Sequence, residues 1–484
     1  MSAALSADEQ ATLQRQVKDH LLLNFTDMSE FEHEAVRVFV RGDGCYVIEA
    51  DGRRSIDGIS GLFCNNLGHG FGAEIGRAAQ RQLSELVFTP SWYVTHPSAA
   101  RLAERLAGLA EPLGLSRVFF TSGGGEANEA IYKLARQWHT ANGQPQRHKA
   151  ISRRLAYHGT TLGALSLTGL PDCRHPFEPM PITTGFVSNT NAYRHPAGGD
   201  EDLFTAALLA EVEATIQWEG ADQIALLIAE PVQNSGGSFT PPRGYWPGLR
   251  ALCDKYGILL VADEVITGFG RVGEWFASMR YDAKPDFITF AKGATAGHAP
   301  LGGVLMSERV AAPFMAGEMY MNGLTYGAHP LTTAIALAAL DIYEREGVIE
   351  NVRENEAYLS SRLNELRRVP IVGDVRGAGY FWSVELVKDR ATKQTFDGAE
   401  AEWLLRDVLS KQMVELGLLC RLDDRGDPVV QLSPPLVADR ALLDEMVGIV
   451  GTALERAAEA FATKGPEPSA EAGSDQTHLA RGAA

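Results

Sequence analysis

The chain has 484 residues, 45% hydrophobic and 22% charged, the balance of a globular protein with ample material for a large core. Its formal net charge of -17 argues against nucleic acid or an anionic membrane as a partner, because both attract basic surfaces. No apolar run reaches the roughly 20 residues needed to span a bilayer. The five scattered cysteines, Cys45, Cys64, Cys173, Cys253 and Cys420, lack C-x-x-C spacing, so reduced thiols are expected rather than a metal site.

The opening stretch MSAALSADEQATLQRQ has neither a basic segment nor an apolar core, so no secretory signal is expected and the location is read as cytoplasmic. Within residues 1–67, VRVFVRGDGCYVIEADGRRSIDG alternates apolar and polar residues around Gly-Asp-Gly and Asp-Gly. That pattern predicts a small antiparallel hairpin unit. Over 68–330 the texture changes. A helical stretch, HPSAARLAERLAGLAE, accompanies short apolar runs, SRVFFTSG, IALLIAEP, GILLVADEV and DFITFAKG. Strands alternating with helix-length segments predict βαβ units and a mostly parallel sheet, an α/β fold. Over 331–462 a long helix is followed by VRENEAYLSSRLNELRRV and GYFWSVELV. This reads as a smaller α+β domain, against which the N-terminal hairpin packs. The tail 463–484 has few large apolar residues and is expected to be disordered.

Three of the apolar runs end in a charged residue: Glu230, Asp263 and Lys292. They stand about one βαβ unit apart. Ligands bind at the carboxyl ends of strands in open parallel sheets, so these three are expected along one edge. Any one of them could simply mark where a strand surfaces; three in register on such apolar strands point to a site. A fourth element, FFTSGGGEANEAIYKLARQW, reads as a strand, a small-residue turn and a helix whose first turn holds Glu126. Its glycines leave backbone N–H groups open at a helix N-terminus, a phosphate cradle. It is not a P-loop, and Asn128 stands where the dinucleotide fingerprint needs its third glycine.

A phosphate cradle, a lysine in an apolar pocket and a buried aspartate together fit pyridoxal phosphate. The lysine amine would form a Schiff base with its aldehyde, and a low-dielectric pocket favours the neutral, nucleophilic amine. The aspartate would keep the pyridine nitrogen protonated, making the ring an electron sink. AYHGTT supplies Tyr157 as an aromatic to stack on that ring.

The motifs AYHGTTLGALSLTG, AEPVQNSGG, LVADEVITGFGRVGEWFA, TFAKGATAG and TYGAHP occur in the order found in a known family. The chain resembles class III pyridoxal-phosphate-dependent aminotransferases of the ω-amino acid or amine:pyruvate type, over most of its length. The resemblance implies fold type I: a large domain on a seven-stranded-type, mostly parallel sheet, and a smaller domain built from both termini. It also implies a homodimer with shared active sites, or a tetramer built from it. Lys292 would be the Schiff-base lysine and proton shuttle, and Asp263 the partner of the pyridinium nitrogen. Val265 would pack on one face of the ring and Tyr157 on the other. Gly124 and Gly125 would bind phosphate through backbone amides, Thr325 would reach the phosphate of the neighbouring subunit, and Glu230 would sit near the cofactor hydroxyl. The family often reads Ser-Gly-Ser-Glu-Ala where this chain reads Gly123-Gly124-Gly125-Glu126-Ala127. A hydroxyl is therefore missing, for which Thr121 or Ser122 would compensate, or the backbone and Thr325 would suffice; cofactor affinity would be somewhat lower.

Phe63 and Trp92 match aromatic pocket positions, although many relatives carry Trp where Phe63 stands; ordinary core packing is the alternative for both. Arg421 matches the mobile arginine of amine:pyruvate enzymes, which pairs with a keto-acid carboxylate and swings away for an amine lacking one; the alternative is a solvated loop arginine beside Asp423 and Asp424. His158 reads as a hydrogen-bonding residue rather than a base, and Arg271 as structural. Gly293 and Gly297 are expected to let the turn clear the cofactor. The implied reaction is ping-pong transfer from a primary amine or ω-amino acid to pyruvate. A 2-oxoglutarate-dependent enzyme, an aminomutase, a racemase and a decarboxylase share this machinery and stay open. So does the donor, among β-alanine, taurine, 4-aminobutyrate, putrescine and aryl-alkyl amines. A non-catalytic binding protein is disfavoured by the intact Lys292 and Asp263.

Overall fold

The computed structural model describes residues 4–32 and 34–463. The tail expected to be disordered lies outside the described residues except for Thr463, which ends the helix Arg440–Thr463. The N-terminal strands are β1 (Phe39–Asp43), β2 (Tyr46–Glu49) and β3 (Arg54–Asp57). They pair antiparallel in succession, with Asp43 opposite Tyr46 at the Gly-containing turn.

The central sheet uses β4 (Leu115–Thr121), β5 (Lys149–Arg153), β6 (Thr184–Val187), β7 (Ile224–Ala229), β8 (Leu259–Asp263), β9 (Phe287–Phe290) and β10 (Gly302–Ser307). Its order is β4-β10-β9-β8-β7-β5-β6. Every neighbouring pair is parallel except those made by β10, which runs antiparallel to both β9 and β4. The observed sheet is thus seven-stranded and mostly parallel, an α/β architecture.

Strands β7, β8 and β9 are buried at every position, because a parallel sheet is covered on both faces. Successive residues feed opposite layers. Leu226, Ile228 and Val261 pack with Ala127, Ile131 and Leu134 of the helix Gly124–Ala141 on one face. Leu227, Leu260 and Ile288 join Phe204, Trp246 and Leu249 on the other. The core therefore sandwiches the sheet and leaves its carboxyl edge open for chemistry.

The C-terminal region adds β11 (Val372–Ala378), β12 (Phe381–Leu386), β13 (Leu418–Leu419), β14 (Arg421–Asp423) and β15 (Val429–Leu432). Four of these form an antiparallel sheet, β11-β12-β15-β14. The remaining strand, β13, pairs parallel with β3, Leu418 opposite Ile56 and Leu419 opposite Asp57. The two ends of the chain thus share a sheet.

Arg271, in the loop after β8, ties these parts together. It is fully buried and donates to Pro434 O at 2.6 Å, Asn66 Oδ1 at 2.6 Å, Tyr380 O at 3.2 Å and Ser60 Oγ at 3.2 Å. Burial brings its pKa down to about 10, which still leaves it charged at neutral pH. Four bonds from one guanidinium to N- and C-terminal segments make a structural role, as the sequence reading expects. Among the described residues no helix is long and apolar enough to cross a membrane.

Candidate active site

At the carboxyl edge of the sheet, the turns following β4, β5, β7, β8 and β9 border one cavity of about 440 Å³. Gly124, Gly125, Tyr157, Glu230, Asp263, Val265 and Lys292 all line it. The strand topology explains the convergence. These five strands run in the same direction, so their carboxyl ends meet on one edge.

The cradle begins where β4 stops. Gly123 is the extended residue that opens the helix Gly124–Ala141, and no side chain caps it. The first-turn N–H groups of that helix, which have no intrahelical acceptors, face the cavity. Gly124 is needed for close approach: a Cβ there would lie 2.9 Å from both methyls of Val265. Thr121 does not supply the missing hydroxyl, because its Oγ1 is buried and donates to Gly123 O at 2.9 Å. Ser122 borders the cavity. So does Thr161, whose Oγ1 lies 3.9 Å from the position a Cβ on Gly125 would take.

Asp263 ends β8 with only 4% of its surface exposed. Its Oδ2 accepts from His158 Nδ1 at 2.7 Å and from Asn128 Nδ2 at 2.8 Å, and its Oδ1 accepts from the Val265 N–H at 3.0 Å. A carboxylate partner assigns the His158 proton to Nδ1. Burial alone would raise the Asp263 pKa, but the His158 bond and charge, the Val265 N–H and Asn128 together hold it below the usual value. Asp263 therefore stays ionised although it is buried. His158 acts as the hydrogen-bonding residue expected. Asn128, which the sequence reading noted only as a departure from another motif, completes the set. Its signal was a lone amide among Ala127, Ala130 and Ile131 on the buried face of its helix.

Lys292 follows β9 at φ 34° and starts a single 3-10 turn, Lys292–Thr295. Its amine makes no hydrogen bond or ion pair among the described residues. Surrounding protein lowers its pKa below the ordinary lysine value, against the opposing field of Asp263, so the neutral amine is favoured. Gly293 is constrained by its protein neighbours. A Cβ there would come within 2.6 Å of Asn66 Nδ2 and 3.0 Å of Phe269 Cβ, so it is glycine for packing against the protein. Gly297 has φ +76°, a left-handed conformation that favours glycine.

Glu230 is buried. Its Oε2 accepts from the Asn234 N–H at 2.9 Å, while Oε1 has no partner among the described residues. Burial raises its pKa above that of an ordinary glutamate. Arg421 approaches from β14, its guanidinium 5.9 Å from the Phe63 ring. Burial brings its pKa down to about 10. Phe63 itself is buried, has φ 61° and meets Phe381 edge-on at 5.7 Å; its neighbour Leu62, not Phe63, borders the cavity.

Trp92 and Thr325 lie elsewhere in the single chain. Both are exposed, and neither borders the Lys292 cavity. Trp92 lines a second, mostly apolar cavity of about 770 Å³ beside residues 319–324 and the end of β4.

The residues present fit pyridoxal phosphate. Open backbone donors at Gly124 and Gly125 suit a phosphate, an ionised buried Asp263 suits a ring cation, and the unpaired Lys292 amine suits an aldehyde. The buried Glu230 Oε1 and its missing partner leave an acceptor for a hydroxyl. Among the described residues, no group of three His, Cys, Asp or Glu side chains is arranged to hold a metal ion.

Comparison with known proteins identifies the family. The family model described as Aminotransferase class-III matches residues 28–454. The "Probable aminotransferase Rv3329" of Mycobacterium tuberculosis is 47% identical over 418 residues, covering 86% of this chain and 89% of that protein. The putrescine–pyruvate aminotransferase of Pseudomonas aeruginosa is 37% identical over 447 residues, covering 92% and 96%. The crystal structure of an (S)-enantioselective omega-transaminase from Thermomicrobium roseum superposes with a TM-score of 0.88 at 40% identity, covering 92% of this chain and 98% of that one. The chain belongs to the class III aminotransferases and is a pyridoxal-phosphate-dependent transaminase.

Proposed function

We propose that this enzyme moves amino groups from primary amines or ω-amino acids to pyruvate, in a ping-pong cycle served by Lys292. The observation that carries the choice of acceptor is Arg421: a guanidinium over Phe63, outside the residues that border the cavity but near enough for its charge to add to burial in lowering the Lys292 pKa, with a 3.5 Å ion-pair contact from its Nε to Asp423. A planar guanidinium suits bidentate binding of a keto-acid carboxylate, and a loosely held one can withdraw for a donor that has none. The pyruvate-using relative from Pseudomonas aeruginosa supports the same choice.

Bound pyridoxal phosphate supplies the electron sink that makes the substrate Cα–H acidic. Gly124 and Gly125 would hold the phosphate through their N–H groups, Val265 and Tyr157 would pack on the two faces of the ring, and the Asp263 carboxylate, oriented by His158 and Asn128, would keep a proton on the ring nitrogen. Glu230 Oε1, buried without a partner among the described residues, would serve the ring hydroxyl. Lys292 Nζ then takes the proton from the substrate carbon and returns it on the other side of the transfer, as base and acid in turn. Its lowered pKa favours the neutral amine that the base role requires.

The test separates the half-reactions. Enzyme first charged with an amine and freed of excess donor is given pyruvate or 2-oxoglutarate. Alanine should form from pyruvate; amination of 2-oxoglutarate alone would overturn the reading. Arg421→Met is expected to raise the pyruvate KM about tenfold or more, the loss of a charge-assisted contact, with little change in the KM of an amine lacking a carboxylate.

A homodimer belongs to the same proposal. Trp92, Tyr93 and Val94 are 59%, 95% and 52% exposed, and Val87, Phe88, Met319, Met321 and Tyr326 add to the apolar surface. So much exposed apolar area marks an interaction surface. A second copy covering it would also bring Trp92 and Thr325 to a partner's cavity. Sedimentation should give a dimer or a multiple of it; a stable monomer that remains active would refute the shared site.

A further inference from the structure

Asp423 stands between two arginines. On β14 the side chains of Arg421 and Asp423, two residues apart, project from the same face. Beyond the strand the chain bends back, and Arg425 reaches the same carboxylate. Arg425 Nε donates to Oδ1 at 2.9 Å, its Nη2 donates to Oδ2 at 2.6 Å, and its backbone N–H donates to Oδ1 at 3.1 Å. Arg421 meets Asp423 only through the 3.5 Å contact from Nε to Oδ2. The Asp423 side chain is 2% exposed, so an uncompensated charge there is costly. The loop is also pinned at its neighbours. Asp424 accepts from Arg406 at 3.3 Å, and Asp427 lies 3.1 Å from Arg194, which itself donates to the buried Glu385 at 2.6 Å. The backbone is held, and Arg421 is the weakly attached side chain.

The geometry points to Arg425 as a positioning residue that, by compensating Asp423, frees Arg421 to leave that carboxylate and meet the carboxylate of the keto acid. The inference rests on the reading of Arg421 given above. Without Arg425, Arg421 would be the nearest charge opposing a buried carboxylate, and the keto acid would have to compete with Asp423 for it. With Arg425 in place, Asp423 stays neutralised in either position of Arg421, and departure costs one long contact. The electrostatics agree. Burial opposes the Arg425 charge, yet Asp423 raises its pKa, and Arg425 and Arg421 hold Asp423 well below the usual carboxylate range against burial.

The test uses the cofactor-loaded enzyme and follows each half-reaction separately. Arg425→Gln is expected to raise the pyruvate concentration needed for half-maximal rate about tenfold, as for loss of a compensating buried charge, and to leave the amine half-reaction within about twofold. Arg425→Lys keeps the charge and should stay near wild type. Adding Asp423→Asn to Arg425→Gln removes the trap and should restore the pyruvate requirement. A double variant no better than the single one, or equal slowing of both half-reactions, overturns the proposal. If Arg425→Gln does not accumulate, Asp423→Asn alone decides: the pyruvate requirement should not rise, and a rise of about tenfold overturns the idea. Arg421→Met separates the two layers. If it leaves the pyruvate requirement unchanged, the Arg421 reading and this inference fall together; if it raises that requirement and Arg425→Gln does not, this inference alone falls.

Discussion

Lys292→Ala is expected to lower transamination by about 10⁴-fold or more, the contribution of a positioned acid–base group together with loss of the covalent hold on the cofactor. No second amine takes its place in the cavity: among the residues that border it, Lys292 is the only lysine. Borohydride reduction should fix pyridoxal phosphate irreversibly to the wild-type chain and not to the variant, which should release the cofactor on dialysis. Because Lys292 makes no hydrogen bond that the fold depends on, thermal stability of the cofactor-free protein should hold or rise. Its lowered pKa gives the sign: a base held below its ordinary value costs stability while protonation is favoured, and that cost disappears with the amine. Variant activity within about tenfold of wild type would remove Lys292 from the proton-transfer role.

Asp263→Asn comes next in size, an expected loss of about 10³-fold in kcat with a small change in KM, the scale of removing a preorganised charge from a catalytic site. The amide keeps the shape but not the charge, and its Nδ2 cannot accept the bonds that His158 and Asn128 now direct at Asp263. A change confined to KM would contradict the role. The wild-type carboxylate, held below its ordinary pKa, adds stability above the unfolded value near 3.9 and loses it as pH falls through the folded value. Activity lost between neutrality and that range therefore comes from groups other than Asp263.

The sheet was legible in the sequence because its inner strands are covered on both faces. IALLIA, LLVAD and FITF read as uninterrupted apolar runs, so the charged residues that end them stand out and fall on one edge. The cradle was legible for a similar reason: three glycines between a strand and a helix leave few alternatives. What was hidden depends on contacts between distant segments. Gly293 is glycine because Asn66 lies against it, more than two hundred residues away in the chain. Thr121 faces inward to Gly123 O, a matter of rotamer that no pattern reports. Leu62 rather than Phe63 borders the cavity because the backbone around Gly61 leaves regular conformations, which breaks any periodicity. The grip of Arg425 on Asp423 arises only after β14 ends and the chain doubles back.

The seven-stranded sheet carries the lysine, the aspartate and the cradle, while Arg421 belongs to a different sheet, β11-β12-β15-β14. On the proposed reading, proton transfer and acceptor recognition thus fall on different sheets, with Arg271 tying the loop after β8 to Tyr380 and Pro434 of the C-terminal region. If Arg421 selects the acceptor as proposed, substitutions in the 421–427 segment should shift which acid the enzyme accepts while the strand ends that perform the chemistry keep their register. Such a layout gives an evolving lineage, or a protein engineer, room to exchange one substrate for another without rebuilding the catalyst.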